Sequence, residues 1–235
     1  RHIYKLLDMK VSRYIGICHA CKTMLETVSR RPVVRIDNGV DIQRLVLKQP
    51  NTPQNNPLVL VSVGRLSEQK NLSLLIDALA RLSVDNFVLK IAGEGPEGNR
   101  LETQVDSLGL SSHVEFLGNV QDVNQLLNSA DIFVMSSEWE GLPIAQIEAT
   151  LSGLPVVITN VGGCAEIVHR AANGLVVDDR LPGELARQLE ILLTNHTLRK
   201  KLSENALLYS GDYRIDVAAK KHIEMYQGVV DNAVN

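Results

Sequence analysis

The sequence predicts an α/β fold, a Rossmann-like doubly wound parallel sheet. Three observations predict it. From Leu58 onward, short apolar runs rich in Val, Ile and Leu alternate with longer stretches whose apolar residues recur at helical spacing. That is the pattern of strands buried on both faces and joined by helical crossovers. Glycine-bearing turns follow successive runs, at Gly64 to Asn71, Gly93 to Gly98, Gly118 to Val120, Ser136 to Pro143 and Val161 to Gly163. They therefore gather at the carboxyl edge of the predicted sheet, where such sheets bind ligands. Finally, 235 residues, 45% of them hydrophobic, supply the core of one large domain, or of one domain plus part of another.

The elements follow in order. Tyr14 to Cys18 reads as a short strand, His19 to Arg30 as a helix, and Val33 to Ile36 as a second strand closed by the turn Asp37-Asn38-Gly39. So few strands do not make an independent sheet, and residues 1–48 read as the tail of something that precedes them. Residues 49–57, QPNTPQNNP, hold three prolines and three asparagines and no apolar residue, a linker composition that marks the domain boundary. Beyond it the predicted strands are Leu58 to Val63, Phe87 to Ala92, Val114 to Leu117, Asp131 to Met135, Pro155 to Thr159 and Gly174 to Val177. The intervening helices are Asn71 to Leu82, Glu97 to Leu108, Val123 to Leu127, and one whose spacing resumes at Ile144, Ile147 and Leu151. The remainder is helical: Pro182 to Leu193, Leu198 to Tyr209 and Ile215 to Val230.

Composition excludes some classes of function. The net charge of -3 offers no basic field for nucleic acid. No apolar run is long enough to span a bilayer. Three cysteines fit a reducing compartment better than a disulfide scaffold. The chain begins without Met and carries no signal peptide, and an N-terminal region ahead of it is expected.

The stretch Ser136 to Gly153 carries most of the chemistry. It reads as a strand end, a turn broken by Gly141 and Pro143, and a helix start whose unpaired N–H groups and dipole suit an anion such as a phosphate. Glu140 and Glu148 bracket that turn, and carboxylates accept hydrogen bonds from ribose or sugar hydroxyls. A patch of Glu138, Glu140 and Glu148 could equally be solvated, the usual fate of Glu. Glu148, however, sits among Ile144, Ala145, Ile147, Ala149 and Leu151, where a carboxylate needs a partner or a ligand. Trp139, the only Trp, reads as core or as a lid. At the first junction, Gly64-Arg65-Leu66 with Lys70-Asn71 places two cations where a diphosphate would sit. Alone they would read as solvated charges. Beside the second phosphate-suited turn they read as functional.

Three further motifs are weaker. Gly93 to Gly98 matches G-x-G-x-x-G literally, but Glu94 and Glu97 would face a pyrophosphate, and the acid about 20 residues on would be Glu115, which is not at a strand's carboxyl end. A tight turn beside the cleft is the better reading. Cys18-x-x-Cys21 has no second pair and no His at ligand spacing, so no metal site is assembled. Gly162-Gly163 with Glu166 allows either close approach to a ligand or a plain turn.

Taken together, Gly64-Arg65-Leu66 with Lys70-Asn71, Gly93-Glu94-Gly95-Pro96, Glu140-x7-Glu148, and Pro155-Val156-Val157 followed by Gly162-Gly163-x-x-Glu166 resemble the C-terminal, donor-binding half of retaining GT-B glycosyltransferases of the E-x7-E type. Order and spacing match across residues 33–230, and Asn38-Gly39-Val40-Asp41 resembles the family's segment before its interdomain linker. By that resemblance residues 1–48 end the N-terminal acceptor domain, 49–57 are the linker, 58–212 bind the nucleotide sugar, and 213–235 form a helix crossing back. Arg65 and Lys70 would hold the diphosphate and stabilise the leaving nucleotide. Glu140 would bind sugar hydroxyls and, with Arg65 and Lys70, complete the catalytic set. Glu148 would bind the ribose. Gly64, Gly93, Gly141, Leu142, Pro143 and Ile144 would surround the donor, with Pro143 offering no N–H. Gly118, Asn119 and Val120 would line the base.

The implied reaction transfers a hexose or N-acetylhexosamine, with retention, from a UDP-sugar to a glycan or lipid-linked acceptor of bacterial surface polysaccharide, O-antigen or capsule. It needs no metal and no cofactor. The acceptor would be bound through the absent N-terminal domain. The implied location is cytoplasmic, with peripheral contact at the inner face of the membrane in the full-length protein. Gly141-Leu142-Pro143 departs from a family pattern that often has a second Gly there. The family's N-terminal catalytic residues, a His among them, have no match. Hence the fragment is expected to bind donor without turning over. The alternatives are an NAD-type dehydrogenase domain resting on Gly93, Gly95 and Gly98, and a non-catalytic nucleotide-sugar sensor.

Overall fold

The computed structural model describes residue 4 and residues 7–45, 56–209 and 213–234. Most of the predicted linker lies outside them. Ahead of it, β1 (Tyr14–Gly16) and β2 (Val33–Arg35) pair in parallel and are joined by α1 (His19–Val28). The predicted strand to Cys18 stops short because Cys18 is the N-cap of α1, its sulfur accepting the Cys21 N–H at 3.3 Å.

After it come β3 (Leu58–Val63), α2 (Leu72–Leu79), β4 (Phe87–Ala92), α3 (Gly98–Ser107), β5 (Val114–Gly118), α4 (Val123–Ser129), β6 (Ile132–Met135), α5 (Ile144–Leu151), β7 (Val156–Thr159), α6 (Cys164–Ala171) and β8 (Gly174–Val177). Helices α7 (Pro182–Thr194), α8 (His196–Leu208) and α9 (Ile215–Val234) complete the described elements. The six main strands lie in the order β5-β4-β3-β6-β7-β8, all parallel. This is a doubly wound sheet whose order reverses between β3 and β6.

Alternation along β3 shows both faces covered. Leu58 and Leu60 enter a cluster with Leu75, Leu101 and Leu189 of α2, α3 and α7. Val59 and Val61 enter another with Leu127, Ala149 and Val168 of α4, α5 and α6. A third cluster, with Cys18, Val40, Leu142, Ile147, Ile167 and Tyr213, joins the β1–β2 unit to the large sheet. Val40 also pairs with the stretch before α9: its N–H donates to Tyr213 O at 2.8 Å, and Ile215 N–H donates to its carbonyl at 2.9 Å.

Local chemistry sets the helix starts. Asn71, in the left-handed region at φ 42°, caps α2 through Leu74 N–H, and Asp122 and Asn195 cap α4 and α8 through Gln125 and Leu198 N–H. Asn195 therefore starts α8 two residues before the predicted Leu198. Pro182 opens α7, where its missing N–H costs nothing. Helix α6 was not among the predicted elements, although Cys164, Ile167, Val168 and Ala171 bury one face at helical spacing.

Candidate functional site

The loops leaving β3 and β6 meet at the carboxyl edge where the strand order reverses. The β3 loop ends in a short 3-10 helix, Glu68–Lys70, that delivers Lys70 to the edge. A Cβ on Gly64 would stand 2.9 Å from Lys70 Cε, so this glycine makes room for the lysine stem. Lys70 Nζ lies 2.6 Å from Glu140 Oε1, and the two side chains are 19% and 7% exposed. Arg65 is exposed, and no bond among the described residues engages its guanidinium.

The two loops are strapped together. Glu138 N–H donates to Gln69 O at 2.8 Å, and Gln69 Nε2 donates to Trp139 O at 3.1 Å. The buried Ser136 hydroxyl lies 3.1 and 2.9 Å from the carbonyls of Lys70 and Asn71. Glu138 accepts from Asn71 Nδ2 at 3.0 Å and faces Arg180 at 3.4 Å. Trp139 is more than half exposed and so is not core.

Beyond Glu140 the turn is supported from below. Gly163 N–H donates to Gly141 O at 2.7 Å, and Asn38 Nδ2 donates to Leu142 O at 2.8 Å. Leu142 is buried in the third cluster. Pro143 precedes α5, whose first turn has no side-chain cap, and Ile144 is exposed at the helix start. Open N–H groups at such an end suit an anion. One turn on, Glu148 borders a cleft of about 650 Å³ that is also lined by Val40, Asp41, Gln121, Asp122 and Ile144. No hydrogen bond or ion pair among the described residues reaches the Glu148 carboxylate, and desolvation raises its pKa above the usual 4.5.

Several predicted residues serve packing more directly than a ligand. A Cβ on Gly93 would stand 1.9 Å from Gly64 O, and one on Gly95 2.3 Å from Leu66 O. Gly93 N–H is spent on Gly118 O at 2.7 Å. The G-x-G-x-x-G turn is therefore shaped by the neighbouring β3 loop. Asn119 is exposed, and Val120 packs with the apolar cluster around α4. The cleft wall near Glu148 is formed by the residues just after them, Gln121 to Asn124. Burial pushes the Cys18 thiol up to about 11, the reverse of a reactive cysteine. No group of His, Cys, Asp or Glu among the described residues could hold a metal ion.

An ionic cluster was missing from the sequence reading. Arg35 binds Asp37 at 2.5 Å and Glu166 at 2.8 Å, Arg170 reaches Asp37 at 3.2 Å, and Glu166 Oε1 also accepts the His19 N–H at 2.8 Å. It ties the β1–β2 unit to α6. Glu166 was visible in its motif, but His19 and Arg35, its shortest contacts, are more than a hundred residues away in sequence.

A doubly wound parallel sheet with this strand order and an open cleft along the helix that follows β6 define a Rossmann-like ligand-binding domain, the type of half from which GT-B glycosyltransferases are built. Residues 43–208 match the model of the family Glycosyl transferases group 1, and the chain belongs to that family. It is 34% identical over 196 residues to the lipopolysaccharide core biosynthesis glycosyltransferase LpsE of Rhizobium meliloti, covering 80% of this chain and 57% of that protein. It is 33% identical over 161 residues to the putative colanic acid biosynthesis glycosyltransferase WcaL of Salmonella typhimurium, covering 64% of this chain and 39% of the relative. The chain thus spans about half the length of these relatives. Among solved structures, Anabaena HepE in complex with UDP and glucose superposes with a TM-score of 0.86 at 25% identity, covering 97% of this chain and 66% of that one.

Proposed function

We propose that this chain is the donor-binding half of a retaining glycosyltransferase. It takes a UDP-sugar and passes its hexose or N-acetylhexosamine to a glycan or lipid-linked acceptor in bacterial surface polysaccharide synthesis. The observation that carries the reading is the Glu148 carboxylate, which no bond among the described residues engages, on an open cleft one helix turn from an uncapped helix start. A desolvated carboxylate without a partner is costly unless a ligand supplies donors, and ribose hydroxyls are such donors. The names of the relatives support the polysaccharide assignment, and the UDP-bound neighbour supports the base.

In the proposed reaction the bond between the anomeric carbon and the β-phosphate oxygen breaks, and the leaving diphosphate keeps the electron pair. A bond to the acceptor oxygen forms on the same face, and the proton of the acceptor hydroxyl passes to the departing diphosphate oxygen. Arg65 and Lys70 stabilise the charge growing on the diphosphate, Glu140 orients the sugar through its hydroxyls, and Glu148 holds the ribose. Residues outside this chain bind the acceptor, and the full-length protein meets a lipid-linked acceptor at the inner membrane surface. No helix among the described residues is long and apolar enough to cross a membrane.

The dehydrogenase reading has less support, because Gly93 and Gly95 are required by backbone packing. Calorimetric titration with UDP, GDP and NAD, repeated on Glu148→Ala and Arg65→Ala, tests the proposal. UDP binding weakened in both variants is expected. Binding of NAD alone, indifferent to Glu148→Ala, would sink it. Turnover by the full-length chain excludes a non-catalytic sensor.

A further inference from the structure

Lys70 is not the only group that holds Glu140. Ser137 is fully buried, and its hydroxyl donates to Glu140 Oε1 at 2.8 Å, the same oxygen that Lys70 reaches. The Ser137 carbonyl in turn accepts the hydroxyl of Thr159 at 2.7 Å, and Thr159 is fully buried at the end of β7. The backbone carrying Ser137 is thus fixed from the adjacent strand. Glu140 Oε2, by contrast, meets only the Gln69 amide among the described residues, at 3.4 Å.

One oxygen of this carboxylate therefore takes two short bonds while the other keeps acceptor capacity. A lysine is a mobile point charge on a flexible stem and fixes distance better than direction. A second donor on a rigid strand end removes the remaining rotation, so that Oε2 faces one way.

We propose that Ser137 is a positioning residue that orients Glu140 toward the hydroxyls of the donor sugar, with Thr159 holding Ser137 in place. The inference rests on the nucleotide-sugar reading of the cleft. Ser137 is buried and acts through Glu140, so its effect falls on the sugar moiety and leaves the nucleotide untouched.

The test is calorimetric titration of the chain with UDP and with UDP-glucose, on wild type, Ser137→Ala, Thr159→Val and Thr159→Ser. Loss of one hydrogen bond to a charged group predicts that Ser137→Ala weakens UDP-glucose about tenfold while UDP changes less than about twofold. Thr159→Val, nearly isosteric, weakens UDP-glucose about threefold, and Thr159→Ser restores it. A merely structural role would weaken both ligands together. Equal losses for UDP and UDP-glucose, or no loss for UDP-glucose, overturn the inference, and Thr159→Val carries the test if Ser137→Ala fails to fold. Wild-type binding of UDP without UDP-glucose overturns the sugar-facing role of Glu140. Wild-type binding of neither overturns the reading of the cleft itself.

Discussion

Gly162 lies so close beneath Glu140 that a Cβ added to it would stand 2.1 Å from the Glu140 carbonyl oxygen. Its φ is 54°, in the left-handed region. Both facts require glycine: L side chains are strained there by about 1–2 kcal/mol, and the atom in the way is backbone, which yields little. Gly162→Ala should therefore lose at least about 2 kcal/mol of stability and displace Glu140. Chemical denaturation and UDP-glucose titration should both register the change. A variant of wild-type stability would show that the β6 and β7 loops are not coupled through this contact.

The Lys70–Glu140 pair is largely withdrawn from water. Removing one member leaves the other charge unpaired, which costs about 3–5 kcal/mol in fully buried pairs and less here, where Lys70 is partly exposed. Lys70→Met should destabilise the chain by about 2–3 kcal/mol, and Lys70→Met with Glu140→Gln by less than the sum of the two single changes. A double-mutant cycle in urea measures this, and strict additivity would deny the pair an energetic coupling.

The fold was legible because every central strand is a short apolar run with its own turn: Phe87 to Ala92 and Gly174 to Val177 coincide with the observed strands. Helix α6 was missed although its buried positions repeat at helical spacing, because eight residues between two glycine-bearing turns make a weak pattern. In the site, Lys70, Glu140 and Glu148 could be picked out from residue type and position, since charges beside a strand end or on an apolar helix need a reason. Ser137 could not. A serine in a turn has many bland uses, and only the folded chain brings its hydroxyl to Glu140. The glycines were legible as special but not as to purpose: Gly93, Gly95 and Gly162 answer to neighbouring backbone.

Glu166 joins two parts of the chain that are distant in sequence, accepting from His19 N–H and pairing with Arg35. Glu166→Ala removes both contacts at once. Hydrogen bonds to a charged group contribute about 1.5–3 kcal/mol each, less when partly exposed as here. The expected result is a loss of about 1–2 kcal/mol and faster amide exchange in α1, with exchange in β3 and β4 unchanged. Uniform acceleration across both sheets would show instead that the chain unfolds as one unit without a separable β1–β2 segment.

Glu148 supplies a pH dependence whose sign can be worked out. Desolvation raises its pKa in the folded state above the ordinary 4.5, so the folded chain holds this proton more firmly than the unfolded one. Stability from this group is then greatest below the unfolded value and is lost as pH rises through the folded value. Glu148→Gln removes the penalty of an ionised, unpaired carboxylate. The variant should be more stable than wild type at pH 7 to 8, a difference that shrinks on acidification toward pH 4. The same substitution should weaken UDP by about tenfold, since an amide accepts ribose hydroxyls less well than a carboxylate. Thermal melts across pH and a UDP titration at pH 7.5 read the two effects. A Glu148→Gln variant that is destabilised at pH 7.5 and binds UDP as wild type does would mean that the carboxylate has a protein partner in solution and no ligand to wait for.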